Sequence, residues 1–242
     1  MYEATALPRE LATWVAATWQ ETVTVGSHAD GVHPDGAIDI LWDGSGLIVY
    51  GPRSRSEATL EAGPAVSIGV RLRPGSTRAM LGETADALAD RTVPLGDLWG
   101  KAAEVAAMRL RSVGGDRVMS EFSAVLMERG RAGARPDHLI RRVVQLARDR
   151  WTVRNIAREV GLSERQLFRR CLDEVGYGPK HLVRVLRLQR LLGLARRLPD
   201  AGLAALAIAA GYADQAHMSR ECRSLTGLTP ARLVRSQRHL LP

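Results

Sequence analysis

Residues 152–230 contain the same pattern twice. An apolar helix with an alanine, a glycine turn and an arginine-bearing helix fill the stretch from Thr152 to Pro179, and this succession returns near the end of the chain. The recurring pairs are Ile156 and Leu206, Ala157 and Ala207, Gly161 and Gly211, Leu167 and Met218, Arg169 and Arg220, Cys171 and Cys222, and Pro179 and Pro230. A helix-turn-helix unit places its second helix in a DNA major groove. The repeat therefore predicts two such units, and a single chain that reads two successive grooves.

The charge of the chain is divided unevenly. The net charge is +8, but of the 34 Lys and Arg residues only 12 lie in residues 1–130, beside 17 of the 26 Asp and Glu residues. Residues 131–242 thus carry 22 basic residues against 9 acidic ones. Such an asymmetry indicates a polyanionic partner for the C-terminal part alone, although a GC-rich genome would also enrich arginine. Charge does not distinguish DNA from RNA, whereas the repeat favours DNA.

The N-terminal part shows the signals of a small β domain. Val66, Ile68, Val70 and Leu72 alternate with polar or small residues, which predicts a half-buried strand with one face for solvent or a ligand. Short segments of this kind between glycine-rich turns are typical of a barrel or sandwich. After residue 97 the pattern becomes helical. We predict an α+β protein with a β-rich effector-binding and dimerisation domain at 1–130, a linker at 131–137, and an all-α domain of seven helices at 138–242.

Capping residues locate the two units within the all-α domain. Thr152 and Asp214 are placed to cap helices, and Ser163 with Gln166 forms a capping box. Gly178-Pro179 begins a connecting helix that ends near Arg197, before Pro199. About 18 residues rising roughly 1.5 Å each span about 27 Å. Neighbouring major-groove faces lie roughly 34 to 36 Å apart, so a small offset at each end lets both units reach the DNA.

Side chains on the outer face of the second helix of each unit are the predicted DNA contacts. Arginine pairs with guanine O6 and N7, glutamine pairs with adenine, and phenylalanine or alanine contacts a thymine methyl. An outward arginine suits a phosphate or a solvated surface equally well, and Phe168 could instead pack on a neighbouring helix. The predicted DNA-binding residues are Ser163, Arg165, Gln166, Phe168, Arg169, Gln215, Ala216, Ser219, Arg220 and Arg223.

These motifs resemble the DNA-binding domain of the AraC/XylS family of transcription regulators. The matching text is IAREVGLSERQLFRRCLDEVGYGP and LAIAAGYADQAHMSRECRSLTGLTP, within a similar region from His138 to Arg238. The resemblance implies that Arg165, Phe168, Arg169, Gln215, Ala216 and Arg220 read bases. The family usually has a bulky aromatic residue where Cys171 and Cys222 stand, so we expect compensating packing around these two core cysteines.

The front half is similar to a sensor domain found in part of that family. The matching pieces are HPDGAIDILW, GVRLRPG and LGETADALADRTVPLGDLWG. The resemblance implies a cupin-like fold followed by helices that often form a homodimer. We expect a small-molecule effector to bind near Trp19, Trp42, Arg71 and Arg73. The tryptophans fit a core equally well, and the arginines could hold an anion or be solvated.

The sequence contains few motifs that would indicate an enzyme or a metal-binding protein. His28 and His33 lie five residues apart without an acidic partner at the spacing expected of a metal site, and we find no serine elbow, phosphate loop or reactive cysteine set, so we expect no metal, cofactor or catalysis. No leader or membrane-length apolar run is seen, which predicts a cytoplasmic protein without a membrane partner. The partners expected are double-stranded DNA and RNA polymerase. Two alternatives stay open: an N-terminal domain that only dimerises or binds a protein, and a cupin enzyme fused to a DNA-binding domain.

Overall fold

The computed structural model describes residues 2–5, 7–23, 32–56, 65–115 and 117–239. Within these residues it combines one antiparallel sheet with eleven α-helices and a short 3₁₀ helix at Leu11–Thr13. The predicted α+β class is therefore confirmed.

Six strands form the sheet in the order β1-β2-β5-β3-β4-β6. Their bounds are β1 Tyr2–Thr5, β2 Val15–Val23, β3 Asp39–Trp42, β4 Leu47–Tyr50, β5 Ala65–Leu72 and β6 Thr92–Pro94. Every pairing among the described strands is antiparallel, and β2 and β5 form the longest ladder. Closure of this sheet into a barrel, like its cupin-like character, stays a prediction.

Strand β5 is covered on both faces over much of its length. Ile68, Val70 and Leu72 are buried as predicted, and Ser67 on the opposite face is only 8% exposed. Trp19 pairs with Gly69 across the sheet, and a Cβ at residue 69 would lie 2.3 Å from the Trp19 ring. The expectation that the second face meets solvent or a ligand is therefore wrong at Gly69, where the indole covers the strand, and Ser67 is buried on the same face.

The helices follow the sheet in two groups. Those of the N-terminal part are α1 Thr77–Leu81, α2 Gly96–Trp99, α3 Lys101–Ser112 and α4 Arg117–Ala132. The seven of the C-terminal part, the predicted number among the described residues, are α5 His138–Arg148, α6 Val153–Glu159, α7 Glu164–Val175, α8 Pro179–Arg197, α9 Leu203–Ala210, α10 Gln215–Thr226 and α11 Pro230–His239.

Two separate hydrophobic cores support the prediction of two domains. One cluster of buried side chains comes from residues 11–126 and the other from residues 140–234. Helix α4 continues to Ala132, two residues into the predicted linker, and Asp137 caps α5 by accepting hydrogen bonds from the Leu139 and Ile140 N–H groups. The extended segment between the two groups of helices is therefore residues 133–137.

Candidate nucleic-acid interface

The capping box at Ser163 sets the start of helix α7. The Ser163 Oγ accepts a hydrogen bond from the Gln166 N–H at 3.2 Å, and the Ser163 N–H donates to the Gln166 Oε1 at 2.9 Å. Each bond satisfies a backbone or side-chain group at the helix start, which fixes the direction in which α7 leaves the turn at Gly161. Ser163 and Gln166 are thus engaged with each other, although both side chains remain exposed.

Helix α7 divides into a buried and an exposed face as the sequence predicts. Leu167 and Cys171 are fully buried, whereas Arg165 and Arg169 are exposed. Neither guanidinium group makes a hydrogen bond or ion pair with any residue that the structure describes. Their cationic groups are therefore available to an external anion or hydrogen-bond acceptor.

Phe168 combines the two roles that the sequence left open. Its side chain is 47% exposed on the same face as the two arginines. One side of the ring covers Gly178, because a Cβ at residue 178 would lie 2.4 Å from the Phe168 Cε2. The absence of a side chain at Gly178 thus makes room for one side of the ring, and nearly half of the Phe168 side chain stays exposed.

A groove lies beside this exposed face and contains a cationic residue that the sequence analysis missed. Its volume is about 510 Å³, and it is lined by Val153, Glu164, Arg165, Phe168, Gly178, Pro179, Lys180 and His181. Lys180 is exposed in the first turn of α8, where a positive charge is unfavourable beside the helix dipole. This unfavourable placement was the one sequence signal that could have drawn attention to Lys180.

Helix α10 presents a comparable exposed face in the second unit. Asp214 caps the helix as predicted, and its Oδ1 accepts a hydrogen bond from the His217 N–H at 2.6 Å. Gln215, Ala216, Arg220 and Arg223 are exposed. Within the described part of the chain, the guanidinium groups of Arg220 and Arg223 have no hydrogen-bond or ion-pair partner.

Ser219 differs from its neighbours on this face. It is only partly exposed, and its hydroxyl donates to the Gln215 carbonyl oxygen at 2.9 Å. A hydroxyl that bonds to its own helix is less available to a base, although its oxygen can still accept a hydrogen bond.

Arginines on the connecting helix α8 anchor α10 through Glu221. The Glu221 side chain is only 10% exposed, and its carboxylate accepts hydrogen bonds from Arg187 Nη1 at 2.9 and 3.2 Å. His217 Nε2 lies 3.2 Å and Arg184 Nε lies 3.7 Å from the same carboxylate. The Arg187 guanidinium also lies 5.3 Å from the centre of the Tyr212 ring. These contacts hold the inner face of α10 and leave its outer face open.

In the first unit, a positively charged residue stands at the position equivalent to Glu221, and it also forms an ion pair. Arg170, 51 residues before Glu221, pairs through its Nη1 with the Asp137 Oδ2 at 2.7 Å. Asp137 is also the cap of α5. Each of the helices α7 and α10, hereafter the reading helices, is therefore joined to the rest of the domain by an ion pair.

Arg190 joins the end of α5, which precedes the first unit, to the end of α9 in the second unit. Its Nη1 donates to the Ala210 carbonyl oxygen at 3.0 Å, at the end of α9, and its Nη2 donates to the Arg148 carbonyl oxygen at the end of α5. Burial lowers the pKa of this guanidinium. The last carbonyl groups of a helix lack partners within the helix, and a cation there interacts well with the helix dipole. Arg190 therefore helps to fix α9 of the second unit relative to α5.

The length of α8 agrees with the spacing that the sequence predicted. Its 19 residues rise roughly 1.5 Å each and span about 28 Å. Its apolar residues Leu182, Val185, Leu188, Leu191 and Leu192 are buried in the core shared by both units. The helix is thus held along its length as a rigid spacer.

The four residues predicted for an effector site have structural contacts of their own. Trp19 and Trp42 are 7% and 6% exposed, and Trp42 belongs to the core beneath the sheet. Arg71 forms ion pairs with Asp35 and Asp39, each at 2.9 Å, and Arg73 donates to the Ala12 carbonyl oxygen at 2.6 Å. The structure does not bring these four side chains to one described cavity, and the effector site stays a prediction.

The cysteines and the remaining candidate ligands occupy positions without reactive features. Cys171 and Cys222 are free and fully buried, as expected for core residues, and burial raises the thiol pKa values to about 12 and about 11. Among the described residues, no group of three or more His, Cys, Asp or Glu could hold a metal ion. His33 Nδ1 lies 2.7 Å from the Ser56 Oγ, and His28 falls outside the described residues. No helix in the described part of the chain is long and apolar enough to cross a membrane.

Two parts of the chain match known domain families. Residues 156–236 match the family described as Helix-turn-helix domain, and residues 6–94 match Domain of unknown function (DUF6597). The HTH-type transcriptional regulator MtrA of Neisseria gonorrhoeae is 29% identical over 110 residues, which are 46% of this chain and 36% of that protein. The chain therefore covers about a third of the length of this curated relative.

Solved structures show similarity over one or both parts of the chain. A transcriptional regulator with an AraC-type DNA-binding domain from Chromobacterium violaceum is 27% identical, with a TM-score of 0.39 over 43% of this chain and 96% of that one. The C-terminal domain of AraT, a response regulator from Geobacillus stearothermophilus, is 21% identical, with a TM-score of 0.39 over 43% and 88%. ToxT from Vibrio cholerae is 12% identical, with a TM-score of 0.44 over 92% and 97%.

The two capped, arginine-faced helices and the family match define the C-terminal part as a double helix-turn-helix domain. The predicted resemblance of this part of the chain to AraC/XylS regulators is confirmed by the helix-turn-helix family match and the similarity to MtrA.

Proposed function

We propose that the chain is a sequence-specific DNA-binding transcription regulator whose two reading helices enter adjacent major grooves of one duplex. The observation that carries the proposal is the pair of exposed faces at Arg165 and Arg169 on α7 and at Arg220 and Arg223 on α10. Four cations that have no partner among the described residues, on two helices joined by a rigid spacer, suit a long polyanion with a periodic groove.

The chemistry of each exposed side chain suggests a contact. Arg169 and Arg220 suit guanine O6 and N7, Gln215 suits an adenine edge, and Phe168 and Ala216 suit thymine methyl groups. The residues at the helix starts, Ser163 and Gln166, and the outer residues Arg165, Ser219 and Arg223 serve bases or phosphates. The name of MtrA, an HTH-type transcriptional regulator, supports a regulatory role for this chain.

The test begins with the DNA that the protein selects from the genome of its own organism. The retained fragments are sequenced, and the strongest is titrated with the protein at a fixed salt concentration. Arg169→Ala and Arg220→Ala should each weaken specific binding by about 1 to 3 kcal/mol, or about 5- to 150-fold, because each removes a bidentate base contact. The effect should be smaller on a scrambled duplex.

Arg131→Ala is the matched control. Arg131 is exposed on α4, a helix of the N-terminal group, and is not among the predicted DNA contacts, so its loss changes the net charge by the same amount without removing one of them. If neither Arg169→Ala nor Arg220→Ala weakens specific binding more than this control, the assignment of the reading helices is wrong.

The N-terminal domain is proposed to respond to a small molecule and to contribute to a homodimer through its helices. A thermal-shift screen of metabolites on the intact chain tests the first part. A stabilising metabolite that also changes DNA affinity would support sensing, and a dimer without any such metabolite would favour the dimerisation-only alternative. Recruitment of RNA polymerase and a location in the cytoplasm belong to the same proposal.

A further inference from the structure

The end of the first reading helix is bonded to the N-terminal domain. The last four carbonyl groups of a helix have no partner within the helix. The Ala85 N–H donates to the Asp173 carbonyl oxygen at 2.7 Å, and the Thr77 hydroxyl donates to the Glu174 carbonyl oxygen at 3.1 Å. Two carbonyl groups at the end of α7 therefore find their donors in the other domain.

The Glu174 side chain, on α7, also accepts a hydrogen bond from the backbone at the start of α1. Its side chain is buried, and its Oε2 accepts a hydrogen bond from the Thr77 N–H at 3.0 Å. The residue at the cap position of α1, Ser76, makes no capping bond, and its buried hydroxyl has no partner among the described residues. The carboxylate of the reading helix thus takes the capping role for a helix of the N-terminal domain.

Close packing accompanies these bonds. Gly176 ends α7 with a φ of 87°, in the left-handed region that favours glycine. A Cβ at this position would lie 2.4 Å from the Pro52 Cγ and 2.9 Å from the Ala85 carbonyl oxygen. The turn after α7 therefore lies directly on the N-terminal domain.

The second reading helix and the connecting helix contact the same domain. The Ser56 N–H donates to the Leu225 carbonyl oxygen in the last turn of α10 at 2.8 Å. The His181 Nε2 lies 3.0 Å from the Ser54 carbonyl oxygen, and the Gln189 Nε2 donates to the Pro34 carbonyl oxygen at 2.7 Å, both from α8. One domain thus touches the carboxyl ends of both reading helices and the spacer between them.

These contacts leave the DNA-facing side chains exposed. The bonded residues of α7 and α10 lie in their last turns, whereas Arg165, Arg169, Gln215 and Arg220 are exposed and precede them. The N-terminal domain can therefore hold both reading helices without covering these side chains.

We propose that the N-terminal domain positions the two reading helices relative to each other through an interdomain clamp formed by Ser56, Thr77 and Ala85. The inference rests on the proposed DNA-binding function. Two of the clamp segments come shortly after strands: Ser56 follows β4, which ends at Tyr50, and Thr77 follows β5, which ends at Leu72. A shift of either strand would therefore move the end of a reading helix. In this arrangement, Glu174, Thr77 and Ser56 are positioning residues for DNA recognition.

Sensitivity to the spacing between the two half-sites tests the clamp. The duplex selected by the wild-type protein is compared with duplexes that carry one base pair more or less between the half-sites. One base pair rotates the second half-site by about a tenth of a helical turn. The wild type should bind the altered duplexes at least about 10-fold more weakly, because its reading helices are held at one separation.

The combined change Glu174→Ala and Thr77→Val removes the Thr77 hydroxyl of the clamp and the Glu174 carboxylate that accepts a hydrogen bond from the Thr77 N–H. We expect binding to the natural spacing to weaken about 5-fold, and the penalty for an altered spacing to fall to about 3-fold or less, since the freed helices can adjust. Glu174→Gln retains an acceptor for the Thr77 N–H and should keep the wild-type penalty. Glu83→Ala, an exposed residue near the clamp, is the matched control and should also keep it.

Each outcome decides between the two proposals. A wild-type protein that selects no DNA would contradict the proposed function, whereas a wild-type protein that binds without a spacing penalty would contradict the clamp alone. An undiminished penalty in the combined variant would also overturn the clamp. If circular dichroism shows that the combined variant does not fold, the nearly isosteric variant Thr77→Val is measured alone. Its loss of affinity for the altered spacings must then be smaller than that of Glu83→Ala.

Discussion

Removing Arg187 from behind the second reading helix gives a sharp test of how α10 is held. Loss of one partner of a buried ion pair costs about 3 to 5 kcal/mol, because the other charge is left without compensation. In this protein Arg184 and His217 remain 3.7 and 3.2 Å from the Glu221 carboxylate. We therefore expect Arg187→Met to lower the free energy of unfolding by about 2 to 3 kcal/mol, below the range for an isolated pair.

A double-mutant cycle separates the ion pair from the lost packing. Glu221→Gln should cost about 1 to 2 kcal/mol, since Arg187 is 20% exposed and keeps some contact with water. The double variant removes both charges of the Arg187–Glu221 pair, so it should be less destabilised than the sum of the single variants by about 1.5 kcal/mol. Urea unfolding of the intact chain at pH 7.5, followed by circular dichroism, measures these differences.

The surface pair Arg142 and Glu159 is the matched control. These side chains are 48% and 42% exposed at a distance of 3.4 Å, and exposed pairs contribute about 0 to 1 kcal/mol. The cycle of Arg142→Met with Glu159→Gln should therefore give a coupling energy well below that of the α10 pair. Equal coupling energies for the two pairs would refute the conclusion that Arg187 anchors the second reading helix.

Two further predictions concern buried titratable groups. Burial raises the pKa of the Glu174 carboxyl from 4.5 to about 7, although the hydrogen bond from the Thr77 N–H acts in the opposite direction. The folded chain therefore binds the proton of this carboxyl more tightly than the unfolded chain does. Its contribution to stability is complete below pH 4.5 and is lost as the pH rises to about 7. Glu174→Gln should flatten this part of the profile of Tm against pH, and an unchanged profile would count against the burial of the carboxyl. Cys171 and Cys222, with thiol pKa values raised to about 12 and about 11, should resist a thiol reagent at pH 8 until the protein is unfolded, and rapid labelling of the native protein would contradict this.

Local signals in the sequence located much of the candidate interface. Ser163 and Asp214 cap the two reading helices, and Pro179 begins the connecting helix, because capping depends on residues within one helical turn. The helical period placed Arg165 and Arg169 opposite Leu167 and Cys171 for the same reason. These features follow from sequence neighbours, so a single chain was sufficient to predict them.

Contacts between distant segments could not be predicted in this way. Arg184, Arg187 and Arg190 form one polar strip on α8 in the sequence, and nothing in the strip shows that it binds Glu221 and the end of α9. The covering of Gly69 by Trp19 likewise depends on the register of two strands about 50 residues apart.

The sequence by itself determined that two helix-turn-helix units follow each other, where their helices begin, and which side chains point away from each core. These properties depend on periodicity and on capping groups, which act over a few residues. Only the tertiary structure decided that Glu174 caps a helix of the other domain and that Ser56 bonds to the end of α10. Those partners are 97 and 169 residues apart in the chain, and only the packing of the two domains brings them within hydrogen-bonding distance.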